Sequence, residues 1–113
     1  MQIAILRVGT VDVGVLKKIE SELGETYPET DCLILDHVMP IPSGAYNKAR
    51  RQFNSSHILA EVNNHAKQTH ADLVLGVTEV DLYVPRLNFV FGEALCPGKA
   101  AIVSLFRLRP EFY

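Results

Sequence analysis

Four histidines, His37, His57, His65 and His70, are the side chains of this sequence best suited to hold a transition metal. Two histidines that hold zinc from one helix must be four residues apart, so that both rings leave the same face. His65 and His70 are five residues apart, which puts them about 140° apart around a helix. The other two are isolated, and no His-Glu-x-x-His motif is present. We therefore assign no metal ligand and expect no stoichiometric zinc in these 113 residues.

The candidate nucleophiles and carboxylates form no catalytic pattern either. The sequence has no Gly-x-Ser-x-Gly motif, and Cys96 lies in a Pro-Gly turn without an evident histidine partner. Glu79 and Asp81 follow a predicted strand and could pair in a cleft, but solvated loop charges are the favoured interpretation. No catalytic residue is assigned.

A turn from Gly9 to Gly14 joins a predicted strand to a predicted helix, which is where phosphate-binding loops are found. It lacks both the Gly-x-Gly-x-x-Gly pattern and the lysine of a Walker motif. An ordinary turn is therefore favoured. The alternative is that this turn is the ligand site of a small cytoplasmic α/β binding module with no catalytic activity.

Composition narrows the classes of partner. A length of 113 residues and a hydrophobic content of 48% fit one globular domain, 1–113. The net charge of −2 gives no electrostatic case for binding nucleic acid. No apolar run approaches the length of a membrane span or a signal-peptide core, so no membrane partner is expected. The two cysteines, Cys32 and Cys96, form no disulfide framework, and we expect reduced thiols and a cytoplasmic protein.

Strands and helices alternate along the chain. Asp12 and the cluster Asn54-Ser55-Ser56 are suited to cap two helices, and Gly24 to end the first. The segment 43–53 fits either a helix or an exposed loop. Apolar patterning predicts helices over 12–24 and 54–70, and strands over 2–8, 32–38, 72–78, 87–93 and 100–108.

The connections predict how the strands pair. Helical crossovers join strands one to three, which gives parallel pairing. Only six residues, with Pro97-Gly98 among them, join strands four and five, which fits an antiparallel hairpin. The fold class is therefore α/β, with a five-stranded, mostly parallel mixed sheet and one antiparallel edge strand. Alternation in that strand puts Leu87, Phe89 and Phe91 on one face, where we expect them to join the core.

The residues 76–112, which include Leu-Asn-Phe-Val-Phe-Gly at 87–92, resemble the part of archaemetzincins that leads into the active-site helix. Archaemetzincins are metzincin-type zinc metallopeptidases. The segment 50–55, Arg-Arg-Gln-Phe-Asn-Ser, is similar to them to a lesser degree. Two departures stand out: Arg86 replaces a smaller residue, and the zinc-binding helix motif is absent.

The resemblance implies that 1–113 is the N-terminal subdomain of a metzincin-like peptidase, with strand order 2-1-3-5-4. In such an enzyme a zinc-bound water attacks a peptide carbonyl, and the zinc ligands would lie past Tyr113. The edge strand would bind peptide or protein substrate by β-augmentation. The residues implied in that substrate rim are Asn88, Phe89, Val90, Phe91 and Gly92.

The same resemblance implies that one sheet face is left uncovered. Leu73–Val77 and Ala100–Phe106 are near-continuous apolar runs, typical of strands covered on both faces. In metzincins the active-site helix covers part of strands three and five. We therefore expect the isolated chain to self-associate and bury Val74, Ile102 or the residues that alternate with them.

Overall fold

The computed structural model describes residues 1–95 and 97–108. In these residues, neither helix is both long and apolar enough to cross a membrane. Short 3₁₀ turns lie at Ser43–Ala45 and Phe106–Leu108. In chain order the other elements are β1 (Gln2–Val8), α1 (Val13–Thr26), β2 (Asp31–Met39), β3 (Tyr46–Asn47), β4 (Gln52–Asn54), α2 (Ser55–Ala66), β5 (Leu73–Thr78), β6 (Leu82–Tyr83), β7 (Gly92–Ala94) and β8 (Ala100–Ser104).

The main sheet has five strands in the order β2-β1-β5-β8-β7. β1 pairs in parallel with β2 and β5, and β5 pairs in parallel with β8. β7 pairs with β8 antiparallel and lies at the sheet edge. The predicted mixed sheet, its single antiparallel edge strand and its strand order are therefore confirmed.

The two long helices cover opposite faces of this sheet. Alternate residues of β1 divide between two apolar clusters, with Ala4, Leu6 and Val8 in one and Ile3 and Ile5 in the other. The first cluster contains the buried stripe of α2, which is Ile58, Leu59, Val62 and Ala66. The second contains Leu16 of α1.

The helix starts were predicted better than the helix ends. Asp12 caps α1 by accepting from the Gly14 amide at 2.7 Å, and Asn54 caps α2 by accepting from the His57 amide at 3.1 Å. Gly24 does not end α1, which continues to Thr26. α2 ends at Ala66 rather than near His70, because the Gln68 and Thr69 amides donate to carbonyls only three residues back, as in a 3₁₀ turn.

The ambiguous segment 43–53 is neither a helix nor a simple loop. After the 3₁₀ turn, β3 and β4 pair antiparallel, and β4 pairs in parallel with β6 to complete a second, three-stranded sheet. Tyr46 and Phe53 do contact each other, with ring centroids 4.9 Å apart. They meet as a cross-strand pair, so the apparent helical spacing was misleading.

Gly76 of β5 is surrounded by side chains from β1, β8 and α2. A Cβ atom on it would lie 3.0 Å from side-chain atoms of both Ile102 and Val62, and 3.2 Å from Val8. All three neighbours are fully buried and belong to three different elements. Because such a core cannot move aside easily, the absence of a side chain at Gly76 sets the packing distance.

We expect Gly76→Ala to lower the free energy of unfolding by about 1–3 kcal/mol, the usual cost of overpacking. Gly24→Ala is the matched control. Gly24 is exposed within α1, and a Cβ atom added to it would meet no other atom within 4 Å, so the same change should stabilise the helix by up to about 1 kcal/mol. Urea unfolding measures both. Equal effects of the two substitutions would contradict the packing argument.

Candidate functional site

Among residues 1–95 and 97–108, no strand pairs with the outer edge of β7. The Ser104 amide donates to the Phe91 carbonyl at 2.7 Å, and the Leu95 amide donates to the Ala100 carbonyl at 3.0 Å. In an antiparallel pair, inward and outward residues alternate. Phe91, Glu93 and Leu95 therefore bond to β8, and the backbone groups of Gly92 and Ala94 point away from the sheet.

The predicted strand 87–93 is too long. The Leu87 amide bonds back to the Val84 carbonyl in a turn, and the Val90 amide donates to the Leu82 carbonyl of β6 at 2.9 Å. Within 87–94, only Gly92–Ala94 pairs as a strand with β8. The backbone amide of Val90, one of the residues implied in the substrate rim, is therefore already bonded within the protein.

The expectation that Leu87 and Phe91 join the core is also wrong. Leu87, in the turn that precedes β7, is 54% exposed, and Phe91, at the start of the edge strand, is 50% exposed. Phe89 is half-buried. Its ring meets the Phe91 ring edge-to-face, with centroids 5.2 Å apart.

Gly92 is needed for close packing within the main sheet. A Cβ atom there would overlap the Ile102 carbonyl oxygen and come within 3.2 Å of the Val103 side chain. The close backbone approach that this glycine permits is therefore that of β8. Next to it, Glu93 is anchored to the first turn of α2, where Ser56 Oγ lies 3.0 Å from both of its carboxylate oxygens.

A buried carboxylate holds the segment that leads to this edge. Asp81 is 8% exposed, not solvated as predicted, and it accepts from Arg107 Nε at 3.0 Å and Arg107 Nη2 at 2.9 Å. Gln52 Nε2 donates to the same carboxylate at 3.0 Å. Burial alone would raise the pKa of Asp81, but the hydrogen bonds from Arg107 and Gln52 outweigh it and lower the pKa. Glu79, the other carboxylate of the predicted pair, is half-buried.

Gln52 of β4 and Arg50, in the turn between β3 and β4, hold the turn that precedes β7. Gln52 Nε2 donates to the Asn88 carbonyl at 2.7 Å. Arg50 donates through Nη2 to the Leu87 carbonyl at 2.6 Å, and through Nε to Gln52 Oε1 at 2.8 Å. The Arg50 guanidinium also stacks on the Tyr83 ring, 4.1 Å from its centroid. Sequence reasoning missed this network, whose one signal was the presence of polar residues in otherwise apolar segments.

The histidines were predicted to be separate, and this is wrong for one pair. His37 of β2 and His65 of α2 stack, with ring centroids 5.5 Å apart and planes 19° from parallel. His70 follows the end of α2, and His57 packs against Gly44. Within 1–95 and 97–108, no three histidine, cysteine or acidic side chains come together as a metal site. These residues therefore do not fit a zinc ion, and Cys96 lies outside the described residues.

The Gly9–Gly14 turn is closed by its own contacts. The Gly9 amide donates to the Met39 carbonyl at 2.9 Å, and the Gly14 amide is taken by Asp12. The Ile41 side chain packs directly on Gly9, which has φ +75°. A phosphate would find these amides occupied, which weakens the alternative of a ligand-binding module.

Burial, then Glu20 and Asp31, raise the pKa of the Cys32 thiol, so it is a poor nucleophile.

These features define an α/β protein with a mixed sheet, an antiparallel edge strand and a helix on either face of the sheet. No protein-family model matches the sequence. The chain is 50% identical, over all 113 residues, to archaemetzincin of Methanocaldococcus jannaschii, and covers 59% of that protein. It is 45% identical over 76 residues to archaemetzincin of Methanopyrus kandleri, which covers 65% of this chain and 42% of that one.

Solved structures show the same similarity to archaemetzincins. The crystal structure of archaemetzincin from Archaeoglobus fulgidus, complexed with malonate, matches with a TM-score of 0.80 and 31% identity, over 96% of this chain and 63% of that one. The zinc-dependent peptidase from Methanocorpusculum labreanum matches with a TM-score of 0.80 and 26% identity, over 98% of this chain and 67% of that one. Over its whole length this chain is homologous to archaemetzincins. It spans about three fifths of the length of the curated relatives that it matches over its whole length.

The Asp81 network makes stability depend on pH in a defined direction. Because the pKa of Asp81 is lower in the folded chain, its stabilisation is present above the unfolded-state pKa of about 3.9 and is lost as pH falls through the folded-state value. We expect Asp81→Asn to lower the free energy of unfolding at pH 7 by about 1.5–3 kcal/mol. The loss should shrink on acidification, as measured by urea unfolding from pH 7 to pH 3.

Asp36→Asn is the matched control, since Asp36 is an exposed carboxylate on β2 at the opposite edge of the sheet. It should change stability little at any of these pH values. An Asp81→Asn variant as stable as the control at pH 7 would contradict the role given to the buried carboxylate.

Proposed function

We propose that this chain forms the scaffold and substrate rim of a zinc-dependent metallopeptidase that hydrolyses peptide bonds. In this proposal an extended peptide or protein substrate pairs with the free edge of β7. The observation that carries it is the outward-facing backbone of Gly92 and Ala94, at the edge of a sheet shared with archaemetzincins. Backbone pairing to such an edge binds peptide in a way that tolerates many side chains.

The proposed rim differs in detail from the five residues that the sequence suggested. Asn88 and Val90 face inward through the Asn88 carbonyl and the Val90 amide, which are both bonded within the protein. Phe89 supports Phe91. We assign the backbone contacts to Gly92 and Ala94, so Ala94, which the sequence analysis omitted, replaces Val90 in the proposal.

The proposal requires a zinc ion in the whole protein. The described residues do not bring a ligand set together, so the ion would be held by residues outside them. That this chain binds no stoichiometric zinc stays a prediction. A single cytoplasmic domain without nucleic-acid or membrane partners is also part of the proposal, supported by the net charge of −2 and by the free, unpaired Cys32 thiol.

The rim role predicts the effect of Ala94→Pro. Proline removes the outward amide of Ala94 and breaks no ladder bond, and edge strands tolerate it at such positions. We expect a folded variant whose affinity for a fluorescent peptide of four Thr-Leu repeats, measured by anisotropy, falls by about fivefold or more. Val90→Pro is the contrasting variant, since it breaks the bond to Leu82 and should lower stability as well.

Unchanged affinity in a folded Ala94→Pro variant would contradict the proposed rim. A circular dichroism melt of each variant separates loss of binding from loss of folding.

A separate prediction concerns the face of the main sheet that we expected to be left uncovered. Val74 and Ile102, two of the residues expected to be exposed, are fully buried on the α2 side. Their alternates lie on the α1 side and are only partly buried: Leu73, Leu75, Val103 and Leu105. We propose that a second copy of this chain covers this face, so that the isolated chain self-associates.

Light scattering coupled to gel filtration should give a mass above the 12.6 kDa of the monomer, and Leu75→Lys should restore the monomer. Leu33→Lys is the control, since Leu33 is 63% exposed at the other edge of the sheet and lies outside this face. A wild-type monomer that binds no hydrophobic dye would contradict the proposal.

A further inference from the structure

The Phe91 side chain lies next to the proposed peptide edge, for which the proposed function uses only backbone groups. We propose that Phe91 is a specificity residue, whose exposed ring packs against an apolar side chain of the extended peptide. The inference rests on the proposed function, because it requires a peptide paired with Gly92 and Ala94.

The position of Phe91 follows from the strand alternation. Its carbonyl bonds to β8, as does the backbone of Glu93 two residues later, so both side chains leave the same side of the sheet. The contact between Glu93 and Ser56 identifies this as the α2 side. A peptide strand about 4.8 Å away places every second side chain on that side, within reach of an aromatic ring.

The Phe91 ring is also held in place. Phe89 supports it edge-to-face, with the two ring planes 88° apart. The Arg107 guanidinium lies 4.1 Å from the centroid of the Phe89 ring and is itself fixed by two hydrogen bonds to Asp81. Binding to a ring that is already ordered loses less conformational entropy than binding to a mobile side chain. Arg107 and Asp81 are therefore positioning residues for Phe91.

The chemistry at this point favours an apolar partner. Half of the Phe91 surface is exposed, so an aliphatic or aromatic side chain would remove apolar area from water on both partners. An acidic side chain would meet the Glu93 carboxylate on the same side of the strand. A small polar side chain would bury little apolar surface against the Phe91 ring.

Two fluorescent peptides test this inference: four Thr-Leu repeats, and four Thr-Ser repeats with the same ends. Repeats remove the need to know the binding register. We expect the wild-type chain to bind the leucine peptide about fivefold more tightly, because a leucine side chain and the Phe91 ring remove apolar surface from water when they pack together. Phe91→Ser should bring the ratio of the two dissociation constants close to one, and Phe91→Leu should retain most of it.

Leu87→Ser is the matched control, because it removes an equally exposed apolar side chain from the same segment and should leave the ratio unchanged. A ratio that is the same in wild type and Phe91→Ser, or that falls equally in Leu87→Ser, would overturn the role of Phe91. Ala94→Pro should weaken both peptides together. If it weakens neither, the edge pairing of the proposed function fails, and the inference fails with it.

Discussion

The carboxylate of Asp81 is almost out of water, and a buried charge is tolerated only when its oxygens are paired and hydrogen-bonded. Two of its partners come from separate segments, Gln52 of β4 and Arg107 of the turn after β8. Gln52 also donates to the carbonyl of Asn88. One charge therefore ties the small sheet, the end of the main sheet and the turn before β7 to each other. The path of the chain into the edge strand follows from that constraint.

The edge that results is short and partly shielded. Within the described part of this edge, only Gly92 and Ala94 present outward backbone groups. Val90 is paired to Leu82 on one side, and the β7 strand ends at Ala94 on the other. Short edge strands limit unwanted strand pairing between molecules. An edge of this length still has room for an extended peptide to add as a strand, and the exposed Phe91 ring at its beginning adds an apolar surface.

Much of the fold could be predicted because it depends on local patterns and on chain connections. Apolar runs, the caps Asp12 and Asn54, and the hairpin before β8 were sufficient for a mixed sheet with one antiparallel edge strand. The site was predicted less well. The alternation in 87–92 is typical of a strand, but Arg50 and Gln52 hold the carbonyls of Leu87 and Asn88, and such long-range polar contacts leave no periodic signal. The same holds for His37 and His65, which lie 28 positions apart in sequence and stack only in the folded chain.

The central claim is that Gly92 and Ala94 bind extended peptide with their backbone. Amide hydrogen exchange followed by NMR tests it directly. In the free chain, the Gly92 and Ala94 amides should exchange faster than those of Val90 and Leu95, which are bonded to Leu82 and Ala100. Saturation with the Thr-Leu peptide should slow exchange at Gly92 and Ala94 while Val90 and Leu95 stay unchanged. Slow exchange at Gly92 and Ala94 in the free chain, or no slowing when the peptide is bound, would contradict the account.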